Sequence, residues 1–252
     1  DGHVEGVYTV EAHPLDLKYA VSASADGEVR VWNVSVGQCV LSVPRAHAGF
    51  VRAVSFSPDG DRLDFVSGGD DKLVKIWSVS KQEPQQYTTQ DYECGHPVLS
   101  VDHVKEAGRA VFATAGDSVS VFKYGRRDPI RTLRATGHDT LQAVRFNRAE
   151  PDLLAATCSD RSVLLYDLRS NSEAPINKTT LRMRSNAVSW NPLEPMYFCV
   201  ANEDHHGYIF DTRNTKRAVN VLTGALGAVM DIQYAPTGLQ IATASYDRAV
   251  RL

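Results

Sequence analysis

Five aromatic residues divide this chain at a nearly constant interval. Trp32, Trp77, Phe122, Tyr166 and Phe210 follow one another at spacings of 45, 45, 44 and 44 residues. Each closes a short β-favouring run that begins at an aspartate: Asp26, Asp71, Asp117, Asp160 and Asp204. Asp247 starts a sixth copy, which reaches Leu252 one residue before its aromatic would come. A module of this length, made of short strands, cannot bury its apolar faces alone and must stack on neighbours. The period therefore predicts an all-β chain of four-stranded β-propeller blades, with six repeats visible. A propeller must close to remove its open strand edges. The expectation is a single propeller domain over residues 1–252, incomplete at its C-terminal end and belonging to a seven-bladed ring.

The second copy shows the grammar. Val51 to Phe56 alternates as a half-buried strand does. Ser57-Pro58-Asp59-Gly60 reads as a turn, because proline presets the backbone and glycine tolerates positive φ. Leu63 to Ser67 makes a second strand, Gly69 to Lys72 turns tightly, and Leu73 to Trp77 is a third strand. The third copy is one residue short between Asp117 and Phe122.

Two copies carry a complete polar set: His3, Ser22, Asp26 and Trp32, then His47, Ser67, Asp71 and Trp77. The sets resemble the hydrogen-bonded tetrad of WD-repeat blades, in which His links Asp to Ser and Ser meets the indole N–H. Catalysis or metal binding is the other reading of such histidines, but recurrence at the blade period favours structure. His96 and His138 open the third and fourth copies without completing the set, and the fifth and sixth copies lack the histidine.

The 252-residue chain is 43% hydrophobic, and no apolar run approaches the ~18 residues a membrane span needs. Cys39, Cys94, Cys158 and Cys199 are far apart and form no C-x-x-C pair, so they read as small buried or half-buried residues of a reducing compartment. Asn33-Val34-Ser35 and Asn177-Lys178-Thr179 match the glycosylation sequon, but nothing else points to secretion. No phosphate-binding loop, nucleophile elbow or H-E-x-x-H helix occurs, so neither an enzyme, a cofactor nor a small-molecule substrate is expected. Glu203-Asp204-His205-His206 could hold a metal, but Asp204 is a turn aspartate, and no metal site is assigned.

Charge is uneven. Residues 1–100 hold 8 Lys+Arg and 14 Asp+Glu, a balance of −6, whereas the remainder holds 19 and 16, a balance of +3. Arg126, Arg127 and Arg131, with Lys216 and Arg217, fall in connections of the third to fifth copies, where cations can meet RNA phosphates or simply solvate the rim. They are the candidate particle-facing basic residues.

Longer strings resemble one family within the WD-repeat class. These are Leu181-Arg182-Met183-Arg184-Ser185-Asn186-Ala187-Val188-Ser189-Trp190-Asn191-Pro192, Ala201-Asn202-Glu203-Asp204-His205, Phe210-Asp211-Thr212-Arg213 and Ser245-Tyr246-Asp247-Arg248. They look like the Sof-type nucleolar proteins of the small-subunit processome. The resemblance covers the chain weakly and residues 140–252 strongly. It implies a non-catalytic scaffold in pre-rRNA processing, nuclear and nucleolar, with processome proteins and the box C/D snoRNP as partners. It also implies a basic tail after the propeller, which this sequence does not contain. A second reading comes from Tyr166-Asp167-Leu168-Arg169 and Phe210-Asp211-Thr212-Arg213, which resemble the box of propellers that dock on a cullin-type ubiquitin-ligase adaptor. That assigns Asp167, Arg169, Asp211 and Arg213 to adaptor docking, and the chain to a substrate-receptor role. The alternative is that each Asp and Arg pair only to pin a strand end. A generic protein-interaction propeller is the remaining reading.

Overall fold

The computed structural model describes residues 2–58, 60–106, 108–135, 137 and 139–252. Asp59 of the anticipated turn and His138 lie outside the described residues. Among the described residues every regular element is a β-strand, and none forms a helix long and apolar enough to cross a membrane. Two compact units are present: residues 1–116 with 120–130, and residues 117–119 with 131–252.

In the first unit, sheet one is β1 (Val7–Ala12), β2 (Tyr19–Ser24), β3 (Val29–Asn33) and β4 (Gln38–Val43). Sheet two is β5 (Val51–Phe56), β6 (Phe65–Gly69), β7 (Leu73–Val79) and β8 (Tyr87–Glu93). Sheet three contributes β9 (Ser100–His103), β10 (Val111–Ala115) and β11 (Val119–Lys123). The second unit begins with β12 (Arg131–Leu133). Sheet four is β13 (Leu141–Phe146), β14 (Leu153–Cys158), β15 (Ser162–Asp167) and β16 (Asn177–Thr180). Sheet five is β17 (Ser185–Trp190), β18 (Tyr197–Asn202), β19 (Gly207–Asp211) and β20 (Asn220–Leu222), and sheet six is β21 (Val229–Tyr234), β22 (Ile241–Ser245) and β23 (Val250–Arg251). Every sheet is an antiparallel meander in sequence order.

The meander gives each sheet two distinct ends. The hairpin between the second and third strands, which holds the turn aspartate, lies at the end where the first strand begins. The other hairpins, two in each four-stranded sheet and one in sheet six, lie at the opposite end. These are called the aspartate end and the clasp end below.

Within each unit, apolar cores fill the spaces between successive sheets. Phe56, Phe65, Trp77 and Val79 pack with Val21, Val31 and Leu41 of sheet one, while Val66, Val74 and Ile76 face Val101, Phe112 and Phe122 of sheet three. Neighbouring residues of β6 and β7 thus enter different cores, as the two-residue period of a strand requires. Sheet two is therefore covered on both faces. This corrects the half-buried alternation expected of Val51 to Phe56: five of these six residues are buried and only Arg52 is intermediate. In the second unit Val188, Trp190, Phe198 and Phe210 pack with Ala155, Val163 and Leu165. Each fully buried phenylalanine contributes about 1.5–3 kcal/mol of transfer free energy.

Polar clasps tie sheets together at the clasp end. The residue after the first strand accepts two amides of its own turn and donates to a carbonyl of the next sheet. Asn147 accepts from Ala149 and Glu150 and donates to Pro195 O at 2.7 Å. Asn191 accepts from Leu193 and Glu194 and donates to Gly238 O at 3.2 Å. In the first unit His13 does the same with a ring: Nδ1 accepts from Leu15 and Asp16, and Nε2 donates to Arg62 O at 3.1 Å. Because Nδ1 faces two N–H donors and Nε2 faces a carbonyl, the geometry fixes the neutral Nε2–H tautomer. All three side chains are buried. Ser55 and Ser189 add a second tie, accepting the amides of His103 and Tyr234.

Candidate interaction surface

At the aspartate end the turn repeats with little variation. The carboxylates of Asp26, Asp71, Asp160, Asp204 and Asp247 accept the amide two residues on, from Glu28, Leu73, Ser162, His206 and Ala249. The residue between adopts positive φ: Gly27, Lys72, Arg161, His205 and Arg248, at 67–77°. The third copy has no such residue. Its hairpin is the bend Gly116-Asp117-Ser118 between β10 and β11, and the missing residue is absorbed there.

What the aspartate binds changes from sheet to sheet. In sheet two the indole N–H of Trp77 donates to Ser67 Oγ at 2.8 Å, Ser67 meets His47 Nε2 at 2.7 Å, and His47 Nδ1 meets Asp71 at 2.9 Å. An indole can only donate, so the proton of Ser67 goes to His47 and the ring passes its own to Asp71. Burial pushes the imidazole of His47 below its ordinary pKa, although Asp71 draws it the other way. Burial opposes the Asp71 carboxylate too, but the bonds from His47, Ala48 and Leu73 hold it below the usual range. Trp32, Ser22, His3 and Asp26 form the same chain at 2.8, 2.7 and 3.3 Å. Glu28 comes near His3 but is bound by Arg30 and Ser42, so this acid–imidazole cluster is already internally partnered.

In sheet three Thr114 holds the place that Ser67 has in sheet two, but its hydroxyl donates to Ser120 O at 3.4 Å and the closing aromatic, Phe122, has no N–H to give. Phe112 stacks on Phe122 at 5.3 Å as Phe65 does on Trp77. His96 lies where a Cβ on Gly116 would come within 2.2 Å of its ring, and its Nε2 is buried without a partner among the described residues. In sheet four Asp160 meets Lys178 Nζ at 2.7 Å and the hydroxyl of Ser162. Burial opposes that carboxylate, yet these donors take its pKa down to about 2. In sheet five Tyr208 donates to Asp204 at 2.6 Å, and in sheet six Arg251 donates to Asp247 at 2.7 Å. His206 turns to the backbone carbonyl of Asp204 and His205 is exposed, so the acid–histidine string does not converge on one point.

The strings that carried the family resemblance interlock in sheet five. Asn202, fully buried, donates to Met183 O at 2.8 Å and lies 3.1 Å from Ser185 Oγ. Arg184 Nε donates to Glu203 at 2.6 Å, and Glu203 N donates to Arg184 O. Asn186 donates to Val229 O of sheet six.

At the clasp end of the second unit each aspartate–arginine pair forms a fork. Arg169 Nε and NH2 donate to Asp167 at 2.9 and 2.8 Å, and Arg213 does the same to Asp211 at 3.0 and 2.6 Å. The guanidinium beside each carboxylate holds it below the usual range. Both arginines stay exposed, and the forks occupy equivalent hairpins of consecutive sheets. Lys216 and Arg217 are exposed in the hairpin that holds Arg213. Arg131 is committed locally, donating to the carbonyls of Leu168 and Ser170. In the first unit Arg126 and Arg127 are exposed after β11. The four cysteines are free thiols; Cys158 and Cys199 are buried, but Cys39 is exposed because β4 is an outer strand, which corrects its expected burial.

Residues 1–33, 37–78 and 216–252 match the family described as WD domain, G-beta repeat. The chain carries WD repeats. The segments between them follow the same sheet plan, with the aromatic and aspartate positions in register. Over its whole length this WD-repeat chain is 34% identical to Protein SOF1 of Saccharomyces cerevisiae. It is 36% identical to the DDB1- and CUL4-associated factor 13 of Danio rerio and 39% identical to that of Dictyostelium discoideum, again over all of its length. It spans 55% of the length of each of these relatives. The Sof-type resemblance and the WD-repeat, all-β fold class read from the sequence are both borne out.

The clasps at His13, Asn147 and Asn191 escaped the sequence reading. The signal was present in Asn147 and Asn191, each directly after the last residue of a first strand, but His13 hides it by substituting a ring for an amide.

Proposed function

We propose that this WD-repeat chain is a non-catalytic scaffold of the small-subunit processome, acting in pre-rRNA processing and small ribosomal subunit biogenesis in the nucleolus. The observation that carries the reading is similarity across the whole chain to a protein named SOF1. Blades of this kind hold partners on rigid edges and ends, and the polar clusters described above are spent on hydrogen bonds that hold the fold. Processome proteins and the box C/D snoRNP are the partners this reading assigns. The exposed cations Arg126, Arg127, Lys216 and Arg217 are the residues it turns toward the particle, with Arg131 shaping the backbone beside them. Depletion of the protein tests it. Loss of early pre-rRNA cleavage and of small subunits is the expected result, and normal levels of both would refute the reading.

A second reading has its own observation. The Asp167–Arg169 and Asp211–Arg213 forks present two identical motifs on consecutive sheets. Some relatives are named for association with a cullin and its adaptor. A substrate-receptor role in such a ligase follows if these forks dock. Co-purification of adaptor with the wild-type protein, and its loss with Arg169→Ala and Arg213→Ala together, is the result expected of that role; adaptor binding unaffected by the pair would remove it.

A further inference from the structure

Arg161 and Arg248 occupy left-handed backbone, with φ of 71° and 67°, at the position where sheet one uses Gly27. An L side chain there costs free energy that glycine avoids. Such positions are kept where the side chain serves a purpose. Both side chains are exposed, and neither has a hydrogen-bond or ion-pair partner among the described residues. Arg182 is exposed and equally unpartnered, and the Leu181 amide donates to Arg161 O at 2.9 Å, which sets Arg182 beside Arg161. The buried amide of Asn202 fixes the backbone that follows Arg182.

The acids around these arginines already have partners of their own. Asp160 is held by Lys178, Glu203 by Arg184, Asp204 by Tyr208 and Asp247 by Arg251. The aspartate end of the second unit thus shows a row of guanidiniums without side-chain partners among the described residues, over carboxylates that are hydrogen-bonded within their own sheets. β17 packs on β13 and β14, and β21 packs on β17 and β18, so the row runs along consecutive sheets.

We propose that this row binds the phosphodiester backbone of RNA. Cations fixed at equivalent turns of successive sheets suit a partner whose negative charge repeats along a chain. The planar guanidinium fork matches paired phosphate oxygens. The choice of RNA over an acidic polypeptide rests on the processome reading above. The surface is at the opposite end of the sheets from the Asp–Arg forks and from Lys216 and Arg217.

The test uses the intact protein, an oligouridine probe and a poly-glutamate peptide, with binding followed by fluorescence anisotropy against salt. Each lost phosphate contact lowers the slope of log affinity on log salt by about 0.7 for a single strand. Arg161→Glu with Arg182→Glu should therefore lose about 1.4 of slope, and Arg248→Glu about 0.7. Lys18→Glu, which reverses an exposed cation in the hairpin between β1 and β2, should leave the slope unchanged, and thermal melting establishes that each variant is folded. The proposal is overturned by an unaltered slope in the folded arginine variants, by an equal loss in the Lys18 variant, or by tighter binding of poly-glutamate than of RNA. Depletion separates the two readings. Failed pre-rRNA cleavage with RNA affinity intact in the variants removes this surface alone. Normal cleavage with lost RNA affinity removes the processome role and leaves the surface standing.

Discussion

Asn191 and Gly238 hold each other in place across two sheets. The side-chain amide of Asn191 donates to the Gly238 carbonyl at 3.2 Å, and a Cβ on Gly238 would fall 2.6 Å from Asn191 Oδ1. Gly238 also has φ of +67°, which favours glycine independently of the contact. Asn191→Ala leaves two turn amides and one carbonyl short of a partner and should cost about 1–3 kcal/mol. Gly238→Ala should also destabilise, through both backbone and clash. Chemical denaturation of the two variants measures this, and a midpoint matching wild type for Asn191→Ala would deny the clasp its role.

The tetrad of sheet two makes a sharper prediction. Among the described residues His47 is the only link between Ser67 and Asp71, so His47→Ala should cost about 1–3 kcal/mol. Trp77→Phe removes one donor but leaves the Ser67–His47–Asp71 chain intact, so its polar cost should be smaller. Reversal of that order in melting experiments would place the energy in the aromatic packing instead.

His103 sets an acid response. It is buried in sheet three, with Nε2 2.9 Å from Tyr124 Oη, and desolvation, aided by the Lys105 charge, lowers its pKa to about 3. The unfolded chain takes up that proton below about pH 6.5. The folded form resists until about pH 3, so stability is complete above the unfolded value and drains away as pH falls between the two. One such group gives a slope of about 1.4 kcal/mol per pH unit. His103→Gln should flatten the stability profile between about pH 6 and 5, above the carboxylate range. An unchanged slope there would show that other groups carry it.

Lys105 should act as a pin of the first unit. Its ammonium meets Glu11 of sheet one at 2.6 Å, and Ser55 Oγ and Phe56 O of sheet two at 3.0 and 2.8 Å. Lys105→Met keeps the apolar stem and removes all three bonds. Hydrogen exchange should then quicken in β1 and β5, and protection identical to wild type would contradict the assignment.

The parts legible in the sequence were those that depend on residue type at a fixed period. Asp71, His47, Ser67 and Trp77 each need one particular chemistry, so their recurrence could be read directly. The clasps use backbone carbonyls of Arg62, Pro195 and Gly238 as acceptors, and a carbonyl leaves no mark in a sequence. Sheet three was hard to read because Thr114 turns its hydroxyl to Ser120 O and Phe122 has no N–H to complete the set, and because a short hairpin absorbs the lost residue. The forks of Asp167 and Asp211 were visible as motifs, but only coordinates show each arginine folded back on its own aspartate.

The turn aspartate meets histidine in the first two sheets, then lysine, tyrosine and arginine in the fourth, fifth and sixth. Tandem modules of similar sequence are prone to assemble out of order while the chain folds. A strand that docked in a neighbour's slot would bring the wrong counterpart to a carboxylate and leave it short of a bond. The succession of partners therefore works as an address, written in side-chain chemistry, that lets each module accept its own strands and reject those of its near copies.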